Sequence, residues 1–508
     1  MRRTIWVGAI FTACAVTVAA CANTANDAVL LGLICEDGTT ECFAGTGGTG
    51  GGTTTTLPSG CIPFNTSAPV PGDCGVFVSS SKGDDGNEGT QEKPFATITK
   101  ALGAAKGQPV YLCAETFTEA LDIGGGALVY GGLDCESDWK YVGATTRSEL
   151  TAPADQVPVR VGGKNSVEIY DLTIRAADAT QKGGSSIALV AEAEADVMLS
   201  RATVEAGNGA SGADGEAFAE AATAGQVGVD GAEACSQSVS GPEGPLNECG
   251  DSDSLGGGAG AGAVNSGFPG GPGDPFVNDN GGSGENAMNT CQPGTDGAPG
   301  TPGEHGTGAS TLGTLDATQL FTGAPGTDGK PGTPGQGGGG GGGAKGGMVA
   351  CMNQPGNGGA SGGSGGSGGC GGLGGKGGQP GGASIAIVSL GATLTFSEVT
   401  LTAKSGGKGG NGGPGQAGGT GGDGGTGGTV PNGILLNAGC GGGKGGLGGA
   451  GGKGGGGLGG HSIAIAHTGA APSTEGAQLT TGTAGPGGTG DGDPGNGKNG
   501  VAVPVQVF

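Results

Sequence analysis

The chain has 508 residues and a formal net charge of −24, and 131 of its residues are glycine, a share far above the typical usage of about 7%. Aromatic residues make up 4% and charged residues 13%, so the composition fits neither a dense globular core nor a highly charged disordered chain. Proline, with 27 residues, is too scarce for collagen along the whole chain. The acidic excess argues against a nucleic-acid partner, because phosphate recognition needs a concentrated basic surface.

The N-terminus has the features of an export signal. Arg2 and Arg3 precede an apolar run over 5–18, which is too short to span a bilayer securely. The string Val18-Ala19-Ala20-Cys21 resembles a bacterial lipobox. The resemblance implies that residues 1–20 are a lipoprotein signal peptide and that Cys21 is the lipidation site. An ordinary secretory signal beside an unrelated cysteine is the alternative.

The same resemblance predicts the location. Ala22 stands where an aspartate would retain a lipoprotein in the inner membrane of Gram-negative bacteria, so we expect an outer-membrane lipoprotein at the cell surface or the periplasmic face. Its acyl chains would anchor it stably. Residues 21–60 contain a glycine- and threonine-rich stretch without apolar periodicity, which is typical of a flexible tether.

The cysteine count predicts disulfides. Of the 14 cysteines, Cys14 would leave with the signal peptide and Cys21 would be lipidated, which leaves an even number in an exported chain. No CxxC pair is present, so a zinc site or a thioredoxin-like centre has little support. Sequence alone does not fix the connectivity, and the local candidates are Cys35–Cys42, Cys61–Cys74 and Cys113–Cys135.

Regular structure is predicted from Cys61 onward. A strand at 76–78 and an acidic turn at 83–89 precede a short amphipathic helix that starts at Pro94 and has apolar residues at helical spacing. Apolar runs predict further strands at 110–112, 127–130, 159–161, 167–170 and 172–174.

Residues 76–205 resemble the start of a pectin-lyase-like right-handed parallel β-helix. The resemblance rests on the turn 83–90, the string Lys93-Pro94-Phe95-Ala96-Thr97-Ile98, the segments 112–119 and 129–134, and Trp139. It implies a cap and first coils over 61–205. It implies no particular activity, because function depends on the site and not on the fold.

An internal repeat predicts a solenoid independently of that resemblance. A Gly-Gly-x-Ser-Ile-Ala string occurs at 183–188, 381–386 and 459–464. The unequal spacings indicate that segments of variable length are inserted between coils. We therefore predict an all-β chain, a right-handed parallel β-helix with glycine-rich insertions.

The insertions are of two kinds. Residues 206–340 are acidic, with collagen-like patches in which every third residue is glycine, and residues 341–508 interleave Gly-Gly-x repeats with β-helix strands. The strict triplet phase over 406–427 favours packed polyglycine II helices, which have three residues per turn. It resembles the glycine-rich surface proteins of the mycobacterial PGRS type. A flexible glycine linker remains the alternative, because ordering glycine has a large entropic cost.

Candidate chemistry is sparse, and no catalytic residue is predicted. Hydrolysis of a glycan needs two carboxylates at a fixed separation, and no such cluster can be assigned to the arginines of the coils. Asp171 and Arg175 are predicted to form a surface salt bridge. His461 and His467 flank the last repeat strand as ordinary strand-end residues, so no metal site is predicted there.

Calcium is the most plausible ion, at oxygen-rich turns. The candidate ligands are Asp84, Asp85, Asn87 and Glu88 in one turn and Asp491 and Asp493 in another, with solvated acidic turns as the alternative. The tail at 501–508 is predicted to be a closing edge strand.

These observations predict a non-catalytic cell-envelope lipoprotein with a structural, adhesive or surface-interaction role. Its expected partners are the membrane, through the lipid anchor, and envelope or extracellular polysaccharides or surface proteins. The alternative is a carbohydrate-active β-helix enzyme, either a polysaccharide lyase or a hydrolase. A passive spacer with unfolded glycine segments is a third hypothesis.

Overall fold

Short apolar runs form most of the regular structure. This computed structural model describes residues 57–508 apart from 165, 238 and 251, so the signal peptide, Cys21 and the Cys35–Cys42 pair lie outside the described residues. The strands of the described part are, in chain order, β1 (Val76–Val78), β2 (Val110–Cys113), β3 (Thr116–Thr118), β4 (Leu121–Ile123), β5 (Ala127–Asp134), β6 (Lys140–Tyr141), β7 (Ser148–Thr151), β8 (Val159–Val161), β9 (Ser166–Tyr170), β10 (Leu172–Arg175), β11 (Ser186–Ala191), β12 (Asp196–Ser200), β13 (Thr203–Glu205), β14 (Leu246–Asn247), β15 (Ser254–Leu255), β16 (Thr314–Asp316), β17 (Leu320–Thr322), β18 (Ser384–Ser389), β19 (Thr393–Ser397), β20 (Val399–Thr402), β21 (Ser462–His467), β22 (Ala477–Thr480) and β23 (Ala502–Val507).

Most strands belong to three parallel sheets, which together we call the three-sheet body. The first sheet has the order β1-β2-β5-β9-β12-β19, with β6 antiparallel to β5. The second has the order β3-β7-β10-β13-β20-β22, and the third has the order β4-β8-β11-β18-β21-β23. The chain passes through the sheets in repeated order, as in β9, β10, β11 and then β12, β13, β18. The architecture is nearly all β and is consistent with the predicted parallel β-helix.

The three copies of the internal repeat stack in register in the third sheet. Ile187 pairs with Ile385, which pairs with Ile463. The serine before each isoleucine is buried. Its hydroxyl forms hydrogen bonds with backbone groups near the ends of the glycine-rich segments. The hydroxyl of Ser462, for example, donates to the Lys404 carbonyl at 2.6 Å and accepts from the Gly482 amide at 2.9 Å. The repeat therefore supplies both core residues and the points where segments are attached.

The amphipathic helix starts later than predicted. The sequence places its start at Pro94, but α1 spans Ile98–Ala105. Thr97 caps its N-terminus, and the Glu119 carboxylate accepts hydrogen bonds from the first two helical amides at 2.7 and 3.0 Å. These contacts satisfy amide groups that have no partner within the helix, and they fix the start.

The remaining helical elements are short. They are the 3-10 helices Ser59–Cys61 and Pro63–Asn65 and the helical turn α2 (Gly492–Gly495). Within the described part of the chain, no helix has the length and apolar character needed to cross a membrane.

Long glycine-rich segments leave the three-sheet body at one corner. The second sheet connects to the third through 206–383, 403–461 and 481–501. The two predicted insertion regions therefore meet at the same corner. The segment 206–383 also contributes the β16–β17 hairpin, whose Leu315, Leu320 and Phe321 pack against the third sheet.

Neighbouring glycine-rich segments are joined by backbone hydrogen bonds at every third residue. The amides of 407, 410 and 413 donate to the carbonyls of 382, 379 and 376, and those of 442, 445 and 448 donate to 425, 422 and 419. Parallel neighbours follow the same rule, since 363, 366 and 369 donate to 440, 443 and 446. The donor–acceptor distances lie between 2.8 and 3.1 Å. The segments are therefore bonded side by side along their length.

Glycine is required where these backbones meet. A Cβ placed on Gly415 would lie 1.9 Å from the Gly451 carbonyl oxygen, which is a backbone atom of the neighbouring segment. Gly258 also lies in a glycine-rich segment, but a Cβ there would have its closest contact at 3.9 Å. The array thus contains positions where a methyl group fits and positions where it forces neighbouring segments apart.

We expect Gly415→Ala to destabilise the array by about 1–3 kcal/mol, the range for overpacking. Hydrogen exchange followed by mass spectrometry should show faster exchange over 406–428 and 439–460. Gly258→Ala is the matched control, and its exchange should be unchanged or slower, since alanine restricts the unfolded chain. Equal behaviour of the two variants would contradict this explanation.

Candidate functional site

Asp171 and Arg201 form a buried ion pair. The two side chains are joined by two hydrogen bonds, from Nε at 2.9 Å and from Nη2 at 2.8 Å, and Asp171 is 1% exposed. The predicted surface pair of Asp171 with Arg175 is wrong. Arg175 points to Glu149 and Glu205 instead, at 3.3 and 3.6 Å. The spacing of four residues suggested a local pair, whereas parallel pairing of β9 with β12 brings residues thirty apart together.

Aromatic rings enclose this ion pair. The Arg201 guanidinium lies 3.9 Å from the ring centre of Phe64, and the hydroxyl of Tyr141 donates to Asp171 at 2.9 Å. Burial by itself would lower the pKa of Arg201, but its bonds to Asp171 and the charge of Asp171 outweigh that effect and raise the pKa. Burial, followed by the charge of Asp171, raises the pKa of Tyr141 to about 12. The raised pKa keeps Arg201 charged, and its two hydrogen bonds to Asp171 suit a structural contact and not proton transfer.

The ion pair closes a stack of aromatic side chains along the first sheet. Phe77, Tyr111, Tyr130 and Tyr170 occupy the same register position on successive strands, and neighbouring rings lie 4.9–5.6 Å apart. Phe64 stacks against the last ring at 5.6 Å. This arrangement fastens the segment before β1 to the body.

Arg201→Met should lower the free energy of unfolding by about 3–5 kcal/mol, because it leaves the buried Asp171 carboxylate without its partner. The matched control is Arg175→Met, which removes an arginine whose side chain is 43% exposed and should cost less than about 1 kcal/mol. Denaturant-induced unfolding followed by tyrosine fluorescence measures both. Similar losses for the two variants would show that burial does not set the strength of the pair.

In the acidic turn predicted to bind calcium, Asp84 and Asp85 accept hydrogen bonds from nearby groups of the protein. Asp85 accepts from the amides of Ala96 and Thr97 and from the Thr97 hydroxyl at 2.9–3.0 Å. Burial would raise the pKa of Asp85, but these hydrogen bonds outweigh it and lower the pKa. Asp84 accepts from the Gly86 amide, and the Asn87 side chain donates to the Pro94 carbonyl. The turn thus orders the entry to α1.

The second turn predicted to bind calcium contains Asp491 and Asp493. Asp491 lies 3.2 Å from Nε2 of His305, and Asp493 is exposed within α2. Among residues 57–508, with the three gaps noted above, no group of three or more His, Cys, Asp or Glu side chains is placed to hold a metal ion.

Glu115 forms a cluster that the sequence analysis missed. Its carboxylate accepts from the hydroxyls of Ser79, Ser80 and Ser81 and from the Ser81 amide at 2.6–3.2 Å. Burial would raise the pKa of Glu115, but these bonds lower it. A pocket of about 350 Å³ lies beside it, lined also by Asp134 and Glu136. Four donors occupy the carboxylate, so Glu115 is not available as a proton acceptor.

His461 and His467 are both buried, at 0% and 4% exposure. Nε2 of His461 donates to the Leu312 carbonyl at 2.7 Å, and Nδ1 accepts from the Val501 amide at 2.9 Å. These partners select the neutral imidazole. Burial lowers the pKa of His461, although the bond to Leu312 acts in the opposite direction. His461 therefore fastens the hairpin segment to the last strand.

The depressed pKa of His461 predicts a loss of stability on mild acidification. The unfolded state takes up a proton near pH 6.5 before the folded state does, so stability falls as the pH drops below 6.5, by up to about 1.4 kcal/mol per pH unit. Carboxylates with lowered pKa values change the stability of the protein only below about pH 4.5, where they take up protons. His461→Gln should flatten the dependence of stability on pH between 5.5 and 7. A wild-type slope in His461→Gln would refute the assignment.

Five disulfides are present in the described chain. Cys61–Cys74 and Cys113–Cys135 match the local pairs predicted from the sequence. Three others join residues 116 to 149 positions apart, and sequence could not assign them. These are Cys235–Cys351, Cys249–Cys370 and Cys291–Cys440.

The turns farthest along the glycine-rich segments form what we call the distal end, consisting of residues 235–237, 239–240, 263–268, 286–292, 346–357 and 429–440. Cys235–Cys351 joins the first of these loops to the fourth, and Cys291–Cys440 joins the third to the fifth. The Gly346 amide donates to the Ala263 carbonyl at 2.7 Å, which joins the remaining loop. None of these residues is Asp, Glu, Lys, Arg or His.

Large apolar side chains are exposed on the distal end. Leu435 is 96% exposed, Met288 90% and Val349 80%, and Met348, Met352 and Phe268 are also exposed. A pocket of about 560 Å³ between the loops around 236–239, 263–264 and 355–358 is lined in part by Val239 and Val264.

Comparison with known proteins gives limited matches. A family described as "Protein of unknown function (DUF1565)", which is associated with β-helix proteins, matches residues 81–122, the segment containing α1, β2 and β3. No curated protein matches the chain. A crystal structure of the GH136 lacto-N-biosidase from Eubacterium ramulus is 17% identical over 26% of this chain and 26% of that one, with a TM-score of 0.17.

Proposed function

We propose that this protein is a non-catalytic cell-envelope lipoprotein with a structural, adhesive or surface-interaction role. One observation carries the proposal. The glycine-rich segments leave one corner of the three-sheet body, are bonded to one another along their length, and end in an uncharged apolar surface. Such an arrangement suits the presentation of a contact surface away from the body.

We infer that the body is a right-handed parallel β-helix and that the segments are polyglycine II helices. The hydrogen bonds recur every three residues, which is the repeat of that helix. No glycine between 406 and 428 has a φ in the left-handed region. At about 3.1 Å per residue, a segment of that length would reach about 70 Å. This inference includes the PGRS-like character suggested by the Gly-Gly-x sequence.

Export and anchoring are part of the same proposal. The five disulfides support an oxidising compartment, because disulfides persist mainly outside the cytoplasm. The string Val18-Ala19-Ala20-Cys21 supports lipidation at Cys21 and placement in the outer membrane. The net charge of −24 favours polysaccharide or protein partners over nucleic acid.

If Cys21 is acylated, the wild-type protein will be recovered in the outer-membrane fraction of a Gram-negative host. Cys21→Ser removes the acylated thiol and should shift the protein to the soluble exported fraction, since the acyl chains supply the membrane affinity. Metabolic labelling with a fatty-acid analogue checks the modification directly. Ala22→Ser is the neighbouring control and should remain in the membrane.

Two results would overturn this function. Recovery of wild-type and Cys21→Ser protein alike in the soluble fraction would remove the anchor. Turnover of uronate or neutral glycans by purified protein, with or without Ca²⁺, would replace the proposed role with that of a carbohydrate-active enzyme.

A further inference from the structure

We propose that the glycine-rich array is a redox-dependent folding unit: reduction of its three long-range disulfides disorders the array and leaves the three-sheet body folded. By the glycine-rich array we mean the segments 206–383, 403–461 and 481–501 without the β16–β17 hairpin. The proposal concerns the condition under which these segments become ordered, so it goes beyond the surface role inferred above. It rests on the exported location only for its biological setting.

The five disulfides fall into two classes. Cys61–Cys74 and Cys113–Cys135 join residues 13 and 22 positions apart at the start of the three-sheet body. The other three join residues 116, 121 and 149 positions apart, and all six of their cysteines lie in the glycine-rich array. Closing a longer loop removes more conformational entropy from the unfolded chain. The cross-links therefore restrict the array more than they restrict the body.

The glycine-rich array buries few large apolar side chains. In the described residues of 206–309 and 323–383, the buried apolar side chains belong to alanine and cysteine and to Pro334. In the described residues of 403–461, Leu458 is the one larger apolar side chain that is buried. The hydrophobic contribution to stability scales with the apolar area buried, so it is small in the array.

Backbone hydrogen bonds alone leave the array with little margin. Each such bond makes a modest net contribution, because the unfolded chain bonds to water instead. Glycine opposes ordering more than any other residue, since it loses the most backbone freedom. The long-range disulfides act against this cost by restricting the unfolded state. We therefore expect the balance between order and disorder in the array to depend on whether these disulfides are formed.

The three cross-links are placed so that their loss frees the array at several points. Cys291–Cys440 joins the segment 206–383 to the segment 403–461. Cys249–Cys370 joins the chain after β14 to the middle of the segment 356–382. Cys235–Cys351 joins two loops of the distal end. Reduction thus removes a restraint within the longest segment and another between the two longest segments.

The three-sheet body has its own sources of stability. Its core buries large side chains, among them Phe117, Leu150 and Ile169. Strands β11 and β18 pair directly although the segment 206–383 separates them in sequence, and β18 and β21 pair across 403–461. Loop-closure entropy grows slowly with loop length, so a disordered insertion weakens these pairings little. The body should therefore stay folded when the array is disordered.

The redox step is an ordinary thiol–disulfide exchange. Each disulfide takes up two electrons and two protons from a dithiol, which is itself oxidised to a disulfide, and two cysteine thiols are formed. Thiol reductants keep cysteines reduced in the cytoplasm, whereas disulfides persist in exported proteins. The array would thus stay disordered before export and become ordered in an oxidising compartment.

The experiment follows hydrogen exchange of the full chain carrying Cys21→Ser by mass spectrometry. The oxidised protein is compared with protein reduced by dithiothreitol, with reduction of every disulfide verified by thiol labelling, and with the same sample after reoxidation. Peptides of the array should exchange at least about tenfold faster after reduction, because local opening becomes more frequent. Reoxidation should restore their protection, which a permanently damaged protein would not show.

A variant without the three long-range disulfides isolates their effect from that of the two local ones. It carries Cys235→Ala, Cys249→Ala, Cys291→Ala, Cys351→Ala, Cys370→Ala and Cys440→Ala. Its array should exchange rapidly without reductant, while peptides of β11, β12 and β18 stay as protected as in the oxidised wild type. The matched control carries Cys61→Ala and Cys74→Ala, and its array should exchange like that of the oxidised wild type.

Two outcomes would overturn the proposal. One is an array that stays protected in the fully reduced protein or in the variant without long-range disulfides. The other is loss of protection in the body and the array together in that variant, which would show that the array is not a separate folding unit. Both outcomes are independent of acylation, so failure here is distinguishable from failure of the membrane anchor.

Discussion

The glycine-rich half of this protein depends on the hydrogen bond between two bare backbones. A Cβ at Gly412 or Gly418 would lie 1.8 or 1.9 Å from a carbonyl oxygen of the next segment. Removing the side chain lets the backbones approach until amide and carbonyl groups pair laterally. The stabilisation then comes from many backbone bonds and little apolar burial, which explains how a chain with 4% aromatic residues can order so much of its length. Ordering glycine has a large entropic cost. The disulfides and the three-sheet body reduce this cost, because they restrict the glycine-rich segments before those segments become ordered.

The three-sheet body sets the register of the glycine-rich segments. In the second sheet, Thr203 pairs with Thr400 and Glu205 with Thr402. The pairing continues past the strand ends, where the amides of 206, 209, 212 and 215 donate to the carbonyls of 402, 405, 408 and 411. The change from strand to glycine-rich segment therefore occurs without loss of the pairing between neighbouring coils. Strand pairing in the three-sheet body and hydrogen bonding between the glycine-rich segments therefore share one register.

The polar side chains of the three-sheet body join segments of the chain to one another. Asp171 and Arg201 neutralise each other beneath Phe64, Glu115 is occupied by serine donors, and both ring nitrogens of His461 are used. Each group joins segments that are distant in sequence. The proposed surface role accordingly rests on the distal end, where apolar side chains are exposed.

Much of the fold was determined by the sequence itself. Period-two apolar runs and the Ser-Ile-Ala repeat predict parallel strands, since their side chains suit a pleated surface with a buried face, and Ile187, Ile385 and Ile463 stack as predicted. The triplet glycine phase predicts that neighbouring backbones approach closely. Local cysteine spacing predicts Cys61–Cys74 and Cys113–Cys135.

Only the tertiary structure decided which distant residues meet. The partner of Asp171 is Arg201 and not Arg175, because parallel pairing places residues of neighbouring strands about 5 Å apart regardless of their distance in sequence. Cys291 meets Cys440 because five loops converge after separate excursions along the chain. Convergence also creates the distal end. The sequence of each loop taken alone does not predict that the five loops lie together. Sequence periodicity records local geometry, whereas contacts across segments depend on the number of residues in every intervening turn.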